Sequence, residues 1–209
     1  MVYFRDTNSE NYNLRIQEDI MLFVITGGSG SGKSKYAEEI AVDFHHTKFK
    51  NGKLYYIATM QSFDKETEKK IARHQEMRKG KGFETIECPV GLGNLSFSRE
   101  DVVLIECMSN LLANEMYAKE GNIKSRKKEF SFFQQIKDFI VEKIFLMKEQ
   151  AGCVIVVTNE VFSDGLNYDK ESLTYIEGLG CINQQLGQAA EEVVEVVCGI
   201  PVCIKKKEE

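Results

Sequence analysis

Short apolar runs recur along the chain and are separated by longer segments of mixed polarity. In the first run, Met21 to Ile25, odd and even positions are both apolar, and glycines follow two residues later. That pattern is typical of a β-strand buried on both faces of a parallel sheet. Further runs of this kind predict strands at residues 54–58, 102–105, 154–158, 193–197 and 201–204, with a weaker edge strand at 83–87.

Helical periodicity occupies the intervals between these strands. It predicts helices at residues 34–43, 64–79, 130–149 and 171–190. The third carries aromatic and aliphatic residues at the spacing of one helix face, which is typical of core packing, whereas three glycines weaken the fourth. Because strands alternate with helices, we predict an α/β fold with three layers, α/β/α. Its sheet is mostly parallel and ends in a C-terminal antiparallel strand pair around Gly199.

Residues 1–20 lie apart from this pattern. They are polar and mixed, with no clear period, and the polarity changes abruptly at Met21. A chain of 209 residues favours one domain. We therefore predict an N-terminal extension at residues 1–20, with Met21 as an alternative start, and a single domain at residues 21–209.

The composition is that of a globular protein, with 43% hydrophobic and 28% charged residues. A net charge of −5 and a pI near 5.4 argue against broad binding to nucleic acid. No apolar stretch reaches the roughly 18 residues of a membrane span, so we expect none. The six cysteines form no Cys-x-x-Cys pair, which removes the common zinc and redox signatures. We predict reduced, mostly buried thiols in a cytoplasmic protein.

The strongest chemical signal directly follows the first predicted strand. The sequence matches G-x-x-x-x-G-K-[ST] at every fixed position, in the order strand, loop, helix that this motif requires. Glycines let the backbone curl so that successive N–H groups point at phosphate oxygens, and the helix N-terminus adds positive potential. The lysine contacts the β- and γ-phosphates, and the serine hydroxyl is a Mg²⁺ ligand. The motif predicts a fold of the P-loop NTPase type. Its residues are Gly27, Gly28, Ser29, Gly30, Ser31, Gly32, Lys33 and Ser34.

Polar side chains end two other predicted strands. Glu106 follows the run at 102–105, and Asn159 and Glu160 follow the run at 154–158. In a parallel sheet these ends lie at the same edge as the phosphate loop. Glu106 is therefore a second candidate ligand for Mg²⁺, directly or through water. Ordinary surface positions account equally well for Asn159 and Glu160.

Of the three histidines in the chain, His74 is the best candidate for a catalytic role. It stands late in a charged predicted helix, and the neighbouring Arg73 and Arg78 favour an anionic ligand. A neutral imidazole can attack phosphorus and form a covalent nucleotidyl intermediate, although a lone helical histidine is commonly structural. Residues four apart share a helix face, so Arg78 is better placed beside His74 than Arg73 is. We interpret His45 and His46 as loop residues.

An ordered set of motifs resembles one family, the bifunctional adenosylcobinamide kinase / adenosylcobinamide-phosphate guanylyltransferases of cobalamin biosynthesis. The resemblance runs from Met21 to about Lys205. The phosphate loop alone is generic, but the motifs in this order are fairly specific. They lie at residues 26–34, 54–59, 71–74, 104–107, 156–161 and 183–184, and the strand pair around Gly199 is similar as well.

The resemblance implies roles for individual residues. His74 falls where the family carries its guanylylated histidine, and Lys33 and the rest of the loop fall on the family's phosphate loop. The family's other nucleotide-contacting positions fall on Ala58, Thr59, Met60, Gln75, Glu76, Met77, Arg78, Glu87 and Glu106. The implied activity is phosphorylation of adenosylcobinamide by ATP or GTP with Mg²⁺, followed by transfer of GMP from GTP. The family's oligomer is a trimer, so the resemblance also implies a homo-oligomer.

Two alternatives to this activity stay open on the residues alone. One is a generic P-loop kinase for a small molecule, in which His74 is merely structural. The other is a non-catalytic switch protein that responds to nucleotide. Covalent labelling of the protein by GTP distinguishes the kinase/guanylyltransferase that the resemblance implies from both alternatives.

If residues 1–20 are an extension, a chain that starts at Met21 keeps its thermal midpoint and its nucleotide affinity, because no core packing is removed. Thermal unfolding and nucleotide titration of the full and shortened chains check this. A loss of more than about 2 kcal/mol in the free energy of unfolding, the size of a real core defect, would contradict the boundary.

Overall fold

The computed structural model describes residues 20–62, 65–117, 130–163 and 167–207. Its centre is a sheet of seven strands in the order β3-β2-β4-β5-β1-β6-β7. The strands are β1 (Met21–Thr26), β2 (Leu54–Ala58), β3 (Glu84–Glu87), β4 (Val102–Glu106), β5 (Cys153–Val157), β6 (Glu192–Val197) and β7 (Ile200–Lys206). Every neighbouring pair is parallel except β6 and β7, which are antiparallel. The predicted sheet, with its C-terminal antiparallel pair, is therefore confirmed.

Helices cover both faces of this sheet. They are α1 (Lys33–Thr47), α2 (Lys65–Arg78), α3 (Met108–Tyr117), α4 (Phe130–Gln150) and α5 (Lys170–Ala189), with a short 3₁₀ turn at Leu92–Asn94. Residues of α3, α4 and α5 pack in one apolar cluster on the first face. Residues of α1 pack in a second cluster on the opposite face. The three-layer α/β/α arrangement follows from these two cores.

Helix α3 is the element that the sequence pattern misses. It begins two residues after β4 ends, and seven of its ten residues are buried. Three of those seven are polar: Ser109, Asn114 and Glu115. A helix surrounded by protein shows no regular polar face, so its amphipathic signal disappears. The glycines of the last helix, by contrast, do not interrupt it: α5 continues through Gly178, whose absent side chain leaves room for Leu112.

The cysteines correct one expectation. Cys88, Cys107 and Cys153 are buried, Cys181 is half-buried, and Cys198 and Cys203 are exposed. The exposed pair belongs to the β6–β7 hairpin at the sheet edge, where no helix of the described residues covers the last strand. All six are free thiols. The predicted extension, apart from residue 20, lies outside the described residues, within which no helix is long and apolar enough to cross a bilayer.

The parallel register brings the chemistry-bearing loops to one edge of the sheet. In the sheet order β5 lies between β1 and β4, and β2 lies beside β4. Glu106 at the end of β4 is in register with Val157 of β5 and Ala58 of β2. The loops after β1, β2, β4 and β5 therefore leave the sheet on the same side, as ligand-binding loops of parallel α/β sheets do.

Gly152, between α4 and β5, tests how tightly the opposite edge of the sheet, where the parallel strands begin, is packed. A Cβ at this position would clash with the ring of Phe49 and with the carbonyl oxygen of Arg99. We expect Gly152→Ala to lower the free energy of unfolding by about 1–3 kcal/mol, as overpacking does. Denaturant unfolding of the purified variant measures this.

Gly187→Ala is the matched control. It lies inside α5, and a Cβ there would meet only Val193, at an ordinary contact of 3.9 Å. Alanine is favoured over glycine in a helix, so we expect stabilisation by roughly 0.5–1 kcal/mol. Equal effects of the two substitutions would contradict the packing argument.

Candidate functional site

The loop between β1 and α1 has a backbone that needs its glycines. Gly27, Gly30 and Gly32 have φ angles of 150°, 73° and 95°, a region that residues with a Cβ rarely adopt. A Cβ on Gly27 would also lie 2.5 Å from the carbonyl oxygen of Val196. The loop can therefore curl as tightly as a phosphate-binding loop requires.

Lys33 opens α1 and folds back over this loop. Its Nζ donates a hydrogen bond to the carbonyl oxygen of Gly28 at 3.1 Å, and only 8% of the residue is exposed. Burial lowers the pKa of Lys33, while nearby Cys107 and Glu106 oppose that shift. The ammonium is thus held at the mouth of the loop, where a triphosphate would replace its backbone partner.

The β6–β7 hairpin supports the loop from the side. The N–H of Gly199 donates to the carbonyl oxygen of Ser31 at 2.8 Å. A Cβ on Gly32 would lie 3.3 Å from the Cα of Gly199. Sequence reasoning did not find this contact, because nothing in either segment signals the other.

Glu106 lies beside the phosphate loop, where the strand-end argument expects it. Its Oε1 accepts a hydrogen bond from the hydroxyl of Ser34, and its Oε2 accepts one from the hydroxyl of Tyr56 at 2.9 Å. Burial, and then the charge of Glu106, raise the pKa of Tyr56, so the phenol remains a donor. A serine hydroxyl and a carboxylate in contact form a donor set that fits Mg²⁺.

His74 lies on α2 and faces the same carboxylate. Its Nδ1 is 3.9 Å from Oε1 of Glu106, and 27% of its side chain is exposed. The guanidinium of Arg78, one turn further on, stacks on the Tyr56 ring at 3.6 Å and is buried. Arg73 is exposed. His74 and Arg78 thus share one cleft, as their spacing of four predicts.

Glu38 is the site residue that the motif analysis missed. It is fully buried on α1, and one of its carboxylate oxygens pairs with Nζ of Lys81 at 2.6 Å. Burial raises the pKa of Glu38, and Lys81 opposes that shift. Its position four residues after Ser34 places both on one helix face, a signal that could have found it.

Within the part of the chain that the structure describes, one group of carboxylate and imidazole side chains is close enough to consider as a metal site. Ligand atoms of Glu38, His74 and Glu106 lie within 4.8 Å of one another. The ammonium of Lys81 already pairs with Glu38. A positive charge so close to Glu38 disfavours the binding of a metal cation by this carboxylate. Ser34 and Glu106 therefore form the better pair for a divalent ion.

The remaining predicted contact residues divide into two groups. Those that line the cleft with His74 are Ala58, Met60, Arg78, Glu87 and Glu106. Thr59 is fully buried. Its hydroxyl accepts a hydrogen bond from the N–H of Cys107 at 2.6 Å and donates one to the carbonyl oxygen of Cys107 at 2.9 Å. These two bonds connect the ends of β2 and β4.

Gln75 and Glu76, which follow His74 on α2, lie outside this cleft. Gln75 lines a neighbouring groove with Arg78. Glu76 is exposed and pairs with Lys79 at 3.8 Å, and Met77 is on the same helix. The interpretation of His45 and His46 as loop residues is wrong, because α1 continues to Thr47 and both lie in its last turn. The Nε2 of His45 bonds the carbonyl group of Gly52 at 3.1 Å.

The end of β5 supplies one more polar group to this edge. The amide of Asn159 donates to the hydroxyl of Ser109 at 2.6 Å, and its Oδ1 is buried without a partner among the described residues. The side chain of Glu160 instead caps its own loop by accepting from Ser163 and from the N–H of Phe162. Asn159 thus joins the end of β5 to α3, and Glu160 has a structural role.

Known proteins resemble this chain over most of its length. The family model "cobinamide kinase / cobinamide phosphate guanyltransferase" matches residues 23–204. The bifunctional adenosylcobalamin biosynthesis protein CobU of Salmonella typhimurium is 31% identical over 88% of this chain and all of that protein. The protein of the same name in Escherichia coli is 29% identical, with the same coverage.

Among solved structures, the flagellar accessory protein FlaH of Methanocaldococcus jannaschii is 14% identical, with a TM-score of 0.46 over 97% of this chain and 87% of that one. The family match covers nearly the whole described sheet and every site residue discussed above. The chain therefore belongs to the cobinamide kinase / cobinamide phosphate guanyltransferase family, a family of transferases.

Proposed function

We propose that the protein phosphorylates adenosylcobinamide with ATP or GTP and then transfers GMP from GTP to that phosphate through His74. The observation that carries this proposal is the approach of His74 to the carboxylate beside the phosphate loop: its Nδ1 is 3.9 Å from Glu106, which itself contacts Ser34 of the loop. A structural histidine has no need to face a phosphate-binding loop. Membership of the family supports the same pair of reactions.

In the kinase step, the hydroxyl oxygen of the aminopropanol arm attacks the γ-phosphorus. The bond from that phosphorus to the β,γ-bridging oxygen breaks, its electron pair leaves with the nucleoside diphosphate, and the hydroxyl proton goes to solvent. Lys33 offsets charge on the β- and γ-phosphates, and the loop N–H groups orient them. Ser34 and Glu106 would hold Mg²⁺, which supplies further charge neutralisation to the triphosphate.

In the transfer step, an imidazole nitrogen of His74 attacks the α-phosphorus of GTP. A nitrogen–phosphorus bond forms, the bond to the α,β-bridging oxygen breaks, and pyrophosphate leaves with its electron pair. A phosphate oxygen of the first product then attacks the same phosphorus, and the electron pair of the broken bond returns to His74. Arg78, buried in the same cleft, is placed to offset charge on the α-phosphate. We also propose a homotrimer, as the family resemblance implies.

Substitution of His74 separates the two steps. We expect His74→Ala to abolish protein-bound GMP while phosphorylation of cobinamide remains measurable, because attack by a hydroxyl needs no enzyme nucleophile. Incubation with α-labelled GTP, followed by denaturing electrophoresis, measures label retained per chain. His45→Ala and His46→Ala are matched controls and should label like the wild type. Full labelling of His74→Ala would remove the guanylyltransferase step and leave a P-loop kinase.

Substitution of Lys33 tests whether one loop serves both steps. We expect Lys33→Ala to lower both rates by about 10²–10³-fold, the usual cost of removing such an electrostatic partner. The matched control is Lys35→Ala, since Lys35 is exposed and pairs only loosely with Glu39 at 3.8 Å. Survival of either activity at the wild-type rate would contradict a shared site. A protein with neither activity and no label would be a nucleotide-dependent switch.

A further inference from the structure

Three polar atoms in and beside the cleft are buried without a partner among the described residues. They are Oε1 of Glu38, Nδ1 of His74 and Nε of Arg78, whose guanidinium lies against the Tyr56 ring. A buried polar group with no hydrogen bond costs free energy, and a charged one costs more. Glu38 and His74 belong to the same cluster, in which the ligand atoms lie within 4.8 Å of one another. Oε1 of Glu38 can therefore accept from Nδ1 of His74 after a small movement of either side chain.

Glu106 is nearer to His74 but is already occupied. One of its oxygens accepts from Ser34 and the other from Tyr56, and under the proposed function it also faces Mg²⁺. Glu38 has one oxygen held by Lys81 at 2.6 Å and the other unused. The two acids thus differ in one property: each oxygen of Glu106 already has a donor, whereas Oε1 of Glu38 has none among the described residues.

We propose that Glu38 is a positioning residue, which accepts a hydrogen bond from Nδ1–H of His74 and so presents Nε2 unprotonated to the α-phosphorus. This rests on the proposed guanylyl transfer through His74. The present separation exceeds a hydrogen bond of about 2.6–3.2 Å, and such bonds are often long before substrate binds and tighten in the complex. Lys81, bonded to the other oxygen, keeps the carboxylate in place.

The position of the imidazole proton decides which ring nitrogen can attack. In neutral imidazole one ring nitrogen carries the proton, and the other has the lone pair that can attack. With the proton held on Nδ1, bond formation at Nε2 makes the ring cationic, and Oε1 of Glu38 accepts a hydrogen bond from that cationic ring. When the nitrogen–phosphorus bond breaks, the electron pair returns to Nε2. The Nδ1 proton stays in place throughout both halves of the transfer.

The first test needs only the wild-type chain. Protein labelled with ¹⁵N at histidine gives separate imidazole signals for protonated and unprotonated ring nitrogens, and comparison with His74→Asn assigns those of His74. We expect Nδ1 of neutral His74 to carry the proton in the presence of a non-hydrolysable GTP analogue. His45 and His46 serve as internal references. A proton on Nε2 would overturn the proposal.

The second test uses variants of Glu38. Glu38→Leu removes the acceptor, and we expect the rate of label formation at saturating GTP to fall about 10–100-fold, as loss of a residue that orients a histidine does. The GTP concentration for half-maximal rate should not change, because the proposed hydrogen bond joins Glu38 to the imidazole ring and not to the nucleotide. Glu38→Gln keeps an acceptor oxygen and should recover part of the rate. Glu39→Leu, on the exposed face of the same helix, is the matched control.

The outcomes separate this proposal from the one on which it rests. If Glu38→Leu and Glu38→Gln label as fast as the wild type while His74→Ala stays unlabelled, the positioning role is wrong and guanylyl transfer stands. If His74→Ala is itself labelled, both proposals fail. If Glu38→Leu does not fold, Glu38→Gln and the imidazole signals of the wild type decide.

Discussion

The carboxylate of Glu106 is the charge on which the arrangement of the site depends. Only 10% of its side chain is exposed, and a carboxylate withdrawn from water needs donors or opposite charge around it. Ser34 and Tyr56 supply the donors, and Lys33 is close enough to interact electrostatically with the carboxylate. These partners come from α1 and from strand β2, so stabilising one acid joins the phosphate loop to the sheet edge.

Helix α1 connects the phosphate loop to the sheet because one of its faces packs on the sheet and the other carries polar site residues. Ala37 and Ala41 are fully buried, and their small side chains let the helix approach the sheet closely. The polar face carries Ser34 and Glu38, four residues apart, toward the cleft. Lys81, from the segment after α2, then pairs with Glu38. A single helix thus fixes the position of the loop and of the segment that follows His74.

Much of this molecule could be predicted from its sequence, where the signal is local. The strands were recognisable because a strand buried on both faces is apolar throughout, and the observed bounds differ from the predicted ones by two residues at most. The phosphate loop was recognisable because its chemistry needs a fixed spacing. Helix α3 was missed because burial on all sides removes periodicity. The exposure of Cys198 and Cys203 was missed because it depends on which strand ends the sheet.

The sequence by itself determined the order of strands and helices, the loop that can bind phosphate, and the candidates His74 and Glu106. Tertiary structure alone decided how these meet. Glu38 and Lys81 are 43 residues apart in sequence, and Tyr56 and Glu106 are 50 apart, so neither pair leaves a local pattern. These pairs interact strongly only once α1, β2 and β4 are packed. Burial raises the free-energy cost of an unpaired charge, and that cost favours the one arrangement in which each charge has its partner.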